Sequence, residues 1–243
     1  MMNKYLVVIP YIHNEAQGRE LEFAVRGWFR HFHETFKLVV VGDVCPFVIA
    51  NQDRIEFVPK SRVQDVPGQY RPHLDHVAKM LHVGRLFDNK FDGFIQAADD
   101  CYPVQDFHFS DVLLPKYFEP EIPECNEEEG FWHDMEKTRL RLQKLGLGNR
   151  NWETHCPRYY DFQRYYAVVN DHNLRHQSFV VENLYFNTYF KDADALQITP
   201  DSRFIQRLET LNTIPDPTRI WLSNGVYGWS RQLESYLENH FGV

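Results

Sequence analysis

The chain has no apolar run near the 18 or so residues that a membrane-crossing helix needs. Its 26 Lys and Arg residues are outnumbered by 34 Asp and Glu. The first absence excludes a helical membrane span; the second, a formal charge of −8, argues against nucleic-acid binding or a sustained patch on an anionic bilayer. Cysteine is sparse: Cys45, Cys101, Cys125 and Cys156 have no Cys-x-x-Cys spacing and lie in unrelated segments. Reduced thiols are therefore expected, not a structural zinc or a disulfide framework. Met1-Met2-Asn3-Lys4 leads only into a short apolar run before Pro10, unlike a secretory signal, so a soluble cytoplasmic protein is expected. There is no internal repeat and no low-complexity tract.

What is plentiful is aromatic. The 19 Phe, 13 Tyr and 5 Trp make up 15% of the chain and suit a large core or surfaces on which planar and sugar rings stack. Hydrophobic residues at 43% are near the globular average, and 243 residues can bury a sizeable core in one domain or two.

Tyr5-Leu-Val-Val-Ile9, closed by Pro10, has the continuous β-branched pattern of a strand buried on both faces. Leu21, Val25, Trp28 and Phe32 then recur at helical spacing, and Phe36 to Val41 is a second buried strand ended by Gly42-Asp43. Strand, helix, strand in about forty residues is a βαβ unit. Arg54 to Pro59 predicts an edge strand and Ser61 to Pro72 a polar loop. Leu74, Val77, Ala78, Leu81 and Gly84 mark one helix face, with Asp75, Lys79 and His82 on another. Asp106 to Tyr117 reads as partly extended. From Phe118 the composition changes: an acidic, proline-punctuated stretch through Glu129 predicts a solvated loop, followed by helices near 132–145, 162–169, 179–190 and 230–240. The expected organisation is an α/β half, residues 1–117, and a mostly helical half, residues 118–243, continuous as one domain.

The chain is organised around Phe94-Ile95-Gln96-Ala97-Ala98-Asp99-Asp100, an apolar strand that ends in two carboxylates before Tyr102-Pro103 forces a turn. Carboxylates at a strand's carboxyl end suit a hard cation such as Mg or Mn, and that edge of an open α/β sheet is where ligands bind. The simpler reading, a capped turn, stays open. A second constellation is Glu153-Thr154-His155-Cys156-Pro157. Two residues apart on an extended segment, Glu153 and His155 point the same way, so Glu153 can serve as general base and His155 as metal ligand or phosphate contact. A surface Glu and a loop-bonded His fit equally well. Arg62, Arg71, His76 and Lys79 flank the approach to these carboxylates, where a cation can clamp phosphate oxygens, although a solvated helix face carries such residues too. Trp132, Trp152, Tyr159 and Tyr160 are either an aromatic platform for a sugar or, more commonly, core.

In order, Val7-Val8-Ile9-Pro10-Tyr11-x-x-Asn14-Glu15, the strand Leu38 to Asp43 and Ala98-Asp99-Asp100 resemble the glycosyltransferases of the GT-A fold over about residues 4–117. The resemblance implies a Rossmann-like mixed sheet flanked by helices and transfer of a sugar from a nucleotide-diphosphate donor to a glycan or other hydroxyl acceptor, in a cytoplasmic enzyme of bacterial or phage type. It implies that Pro10, Tyr11, Asn14, Glu15 and Asp43 hold the nucleoside, that Asp99 contacts ribose or metal, and that Asp100 takes a divalent Mn or Mg ion and the diphosphate. Lys79 is a further phosphate candidate, His155 a further metal ligand, and Glu153 the candidate catalytic base. Ala98 stands where the family has a first carboxylate, which puts strict metal dependence in question, and Ile12 and His13 lengthen the first loop. Two other readings remain: a GT-A-like protein that binds a nucleotide sugar or partner without turnover, and a sugar nucleotidyltransferase. The latter normally carries a glycine-rich basic loop after the first strand, which Tyr11 to Glu15 is not.

Overall fold

The computed structural model describes residues 4–66, 69–70, 72–127, 130–198, 204–205, 220–225 and 228–243. Arg71 and Glu129, named above, lie outside the described residues.

Strand β1 (Tyr5–Tyr11), helix α1 (Glu20–His31) and strand β2 (Phe36–Gly42) make the expected βαβ unit, with β1 and β2 parallel from Tyr5 opposite Phe36 to Tyr11 opposite Gly42. The short helix α2 (Pro46–Ala50) leads to β3 (Ile55–Pro59), parallel to β2 at the sheet edge. The polar segment that follows contains a small antiparallel hairpin, β4 (Gln64–Val66) and β5 (Gln69–Tyr70), where only a loop is expected. Helix α3 (Pro72–Phe87) then returns the chain to β6 (Gly93–Gln96), which pairs parallel to the other side of β1.

The central sheet therefore runs β3-β2-β1-β6, with β9 (Arg158–Asp161) antiparallel on β6. It is a mostly parallel mixed sheet flanked by helices. The strand order reverses between β1 and β6, and a crevice opens at the carboxyl ends of strands that part in this way. Because β9 is antiparallel, with Arg158 opposite Gln96, its entry at residues 153–157 arrives at that same edge.

Alternation along the strands divides the core. Leu6, Val8, Val39 and Val41 pack with Val77 and Met80 of α3 on one face; Val7, Ile9, Leu38 and Val40 pack with Leu21, Val25 and Trp28 of α1 on the other. Burial on both faces explains the uninterrupted apolar runs.

After β6, strand β7 (Cys101–Pro103) pairs antiparallel with β12 (Trp221–Asn224), which lies parallel to β11 (Phe204–Ile205). The region 106–117 is not simply extended: α4 (Phe109–Leu113) precedes β8 (Lys116–Tyr117), which pairs with β10 (Leu196–Gln197). Helix α4 starts at His108, whose backbone N–H donates to Asp111 Oδ2 at 2.8 Å in a capping box. Histidine is an uncommon helix cap, which hid this start in the sequence. Helices α5 (Gly130–Lys144), α6 (Phe162–Asp171), α7 (Val181–Tyr189) and α8 (Arg231–Phe241) lie where periodicity places them. Ser230 Oγ caps α8 by accepting from Leu233 N at 3.2 Å, and Leu233 and Leu237 pack it onto Phe23, Tyr102 and Leu222. No helix of the described residues is long and apolar enough to cross a membrane, and the four cysteines form no disulfide.

Candidate active site at the sheet's switch point

The last parallel ladder bond of β6 runs from Ala97 N to Val8 O at 2.9 Å, after which Ala98-Asp99-Asp100 turns away from the sheet. A cavity of about 350 Å³ opens there, between the carboxyl ends of β1 and β6, the first turns of α3 and the 153–158 segment. On one wall His155 Nδ1 lies 3.2 and 3.1 Å from the two carboxylate oxygens of Asp100. Burial alone would lower the pKa of His155, but the charge and hydrogen bond of Asp100, with Glu153 beyond, more than offset it and raise it to about 9. Asp99 responds the other way. Burial, then the charges of Asp100 and Glu20, push its carboxyl well above the ordinary range. The adjacent aspartates are thus electrostatically unlike, one ion-paired and one driven toward its neutral form.

Among the described residues no group of three His, Cys, Asp or Glu side chains is arranged to hold a metal ion. Asp100 supplies the carboxylate oxygen that Mn or Mg prefers, and His155 can add an imidazole nitrogen once it gives up its proton. A cation on them would need diphosphate oxygens and water to complete its shell, the usual condition of bound Mg.

Glu153, Pro10, Glu15 and Lys79 line the same cavity as Asp99, Asp100 and His155, whereas Tyr11, Asn14 and Asp43 do not. Tyr11 and Asp43 act on the loop instead. His13 N donates to Asp43 Oδ2 at 3.1 Å and Tyr11 Oη lies 3.2 Å from His13 Nδ1, so the added residues of the first loop are tied across to the end of β2. Gly42, at φ 136°, permits this approach, because a Cβ there would collide with the Tyr11 carbonyl. Asn14 and Glu15 are exposed, and Glu15 is ion-paired with Arg62. Lys79 is buried rather than on a solvated face: its Nζ sits 2.7 Å from Asp75 and 3.3 Å from the Tyr11 carbonyl, so its charge is already compensated. None of the four candidate platform aromatics lines the cavity. Trp152 and Tyr160 are core, Tyr159 packs edge-on against Phe109, and Trp132 is exposed on α5 beside Phe131.

The sequence reading missed two groups. The first is Glu20, buried at the start of α1, which accepts from Gln17 N and from Asn224 Nδ2, both at 2.6 Å. Burial raises it to about 7 against the pull of those two bonds. The second is the cavity floor, of which only His76 was among the residues expected near the site. Gln96 Nε2 donates to Glu182 Oε1 at 3.2 Å, His76 Nε2 lies 3.0 Å from Gln96 Oε1, and Arg158 Nη1 is 3.8 Å from Glu182 Oε1. Burial would raise Glu182, but Arg158, His76 and His73 outweigh it and hold the carboxyl down at about 2. The available signal was a lone charged residue inside the apolar run Phe179 to Phe190.

No family model matches the chain, and no curated protein matches it in sequence. Among solved structures, a glycosyltransferase involved in the glycosylation of the major capsid of PBCV-1 aligns over 99% of this chain and 100% of its own. The identity is 7% and the TM-score 0.41, a likeness too distant to bear on fold or activity.

Proposed function

We propose that the protein is a glycosyltransferase that moves a sugar from a nucleotide-diphosphate donor to an acceptor hydroxyl. The observation that carries this reading is the Asp100–His155 pair at the carboxyl end of β6, facing a cavity that Glu153 also lines. An acid pair, an imidazole and a carboxylate base on one concave wall are the parts that departure of a diphosphate and activation of a hydroxyl require.

In this mechanism Glu153 removes the proton of the acceptor hydroxyl as its oxygen attacks the anomeric carbon. The bond from that carbon to the diphosphate oxygen breaks, and its electron pair leaves with the nucleoside diphosphate. Asp100 and His155 would be the protein ligands of a bound Mn or Mg ion, and neutralisation of charge on the departing diphosphate is the chemistry such an ion supplies. Asp43 and the Tyr11–His13 loop, joined by the His13–Asp43 bond, form the edge beside the nucleoside.

Calorimetric titration of UDP and GDP, with and without Mn, tests the site. Binding by the wild type that is lost in Asp100→Ala is expected; no binding, or binding unchanged by the substitution, would sink the reading. With a donor panel, Glu153→Gln should cut transfer by about 10²- to 10⁴-fold, the usual contribution of a general base, with donor affinity retained. Donor binding by the wild type without transfer or donor hydrolysis would make the protein a binding module instead.

A further inference from the structure

Gln96, His76, Arg158 and Glu182 form a buried polar floor to the cavity that the mechanism above does not use. An ion pair placed away from solvent contributes little to stability. Apolar side chains of similar volume commonly serve a fold as well or better. Here the four residues sit beneath an open cavity, on four separate elements: the N-terminal part of α3, the end of β6, the start of β9 and the first turn of α7. The set is also incompletely used. A carboxylate accepts at about four positions, and Gln96 Nε2 fills one on Glu182. Arg158 Nε and His73 Nε2, of two residues that line the cavity, are buried with no hydrogen-bond partner.

We propose that this floor receives the sugar ring of the donor and selects a neutral, hydroxyl-rich ring over one bearing a carboxylate. The inference rests on the proposed glycosyl transfer and adds the class of sugar. Position supports it: Gln96 lies three residues before Asp99 and Arg158 three after His155, so the floor adjoins the wall assigned to the diphosphate. Chemistry supports it as well. Hydroxyl groups both donate and accept, and the floor offers a carboxylate acceptor, an amide that does both, an imidazole and a guanidinium. Its charges cancel, Glu182 against Arg158, with Glu182 held ionised by its neighbours and His76 lowered by burial. An acidic sugar would bring a second anion against Glu182, whose charge Arg158 already faces at 3.8 Å, which is discrimination by repulsion. A site built to hydrogen-bond hydroxyls also rejects ligands that leave its buried groups unpaired.

The test is calorimetry with three ligands: the diphosphate of whichever of uridine or guanosine binds, its neutral hexose ester and the corresponding uronate. In the wild type the hexose ester should bind about 10- to 100-fold tighter than the bare diphosphate, the range of one or two hydrogen bonds to a charged group. The uronate should gain nothing. Glu182→Gln should abolish the gain from the hexose and leave the affinity for the diphosphate within about twofold, since the charge it removes faces Arg158 and the sugar and not the diphosphate wall. Equal binding of all three ligands by the wild type overturns the inference while leaving glycosyl transfer standing, as does a uniform weakening of all three by Glu182→Gln. If circular dichroism shows Glu182→Gln to be misfolded, the wild-type comparison decides alone. If the wild type binds neither UDP nor GDP, the proposed function fails first and takes this inference with it.

Discussion

Lys79 illustrates how burial changes the meaning of a residue. On a helical wheel it shares a face with Asp75 and reads as a cation available to phosphate, yet both residues are 1% exposed and their charged atoms lie 2.7 Å apart. Removing one member of such a pair strands the other charge. Lys79→Met should therefore destabilise the fold by about 3–5 kcal/mol, read as a loss of free energy in urea unfolding. Asp75→Leu combined with Lys79→Met should recover most of that loss, because no charge is then left unpaired. A single variant of wild-type stability that fails to bind nucleotide would instead make Lys79 a ligand contact. The site residues differ in legibility for the same reason. Asp99, Asp100, Glu153 and His155 announced themselves as polar groups beside strand ends and proline turns. Gln96 and Glu182 are embedded in apolar runs, and Arg158 abuts the aromatic pair Tyr159-Tyr160, so pattern assigned that stretch to the interior without showing that a cavity reaches it.

At the scale of elements, the contact between α1 and α8 titrates. His31 Nε2 and His240 Nε2 are 3.1 Å apart, which requires at least one neutral ring. Burial lowers both, and with the charges of His31 and Arg30 it brings His240 to about 4, while Asp106, 2.9 Å from His31 Nδ1, partly offsets the lowering of His31. His33 also faces Asp106, and Tyr236 stacks on His240. Between about pH 6.5 and 4 the unfolded chain thus binds more protons at His240 than the folded one, so stability falls as the pH falls through that window. The contribution is on the order of 1–3 kcal/mol. Melting temperatures measured from pH 7.5 to 4.5 should fall less steeply for His240→Gln than for the wild type; parallel curves would remove this contact from the acid response. The longer helices, α1, α3 and α5 to α8, were legible from periodicity, and β1, β2, β3 and β6 from apolar runs. Helix α4 and the placement of β9 were not, since one starts at an unusual cap and the other depends on pairing with a strand more than sixty residues earlier.

For the molecule as a whole, we infer from the core that residues 1–117 and 118–243 form one unit. A single cluster joins Leu6, Val8, Val39 and Phe94 from the first part to Tyr160, Tyr165, Leu184 and Tyr185 from the second. Strand β9 supplies an edge of the central sheet, and Phe94 stacks on Tyr160 with ring centroids 5.3 Å apart. Without the second part, β6 would expose its hydrogen-bonding edge and that face of the sheet would lose its cover, a state prone to aggregation. Interfaces of this apolar kind unfold together. Urea unfolding followed by far-ultraviolet circular dichroism and by tryptophan fluorescence should therefore give coincident single transitions. The fluorescence samples both faces of the sheet, because Trp152 lies in one cluster and Trp28 and Trp221 in another. A fragment of residues 1–117 should fail to give a cooperative transition of its own. Two separated midpoints, or a folded fragment, would divide the chain into independent domains and reduce the β6–β9 contact to an interface between them.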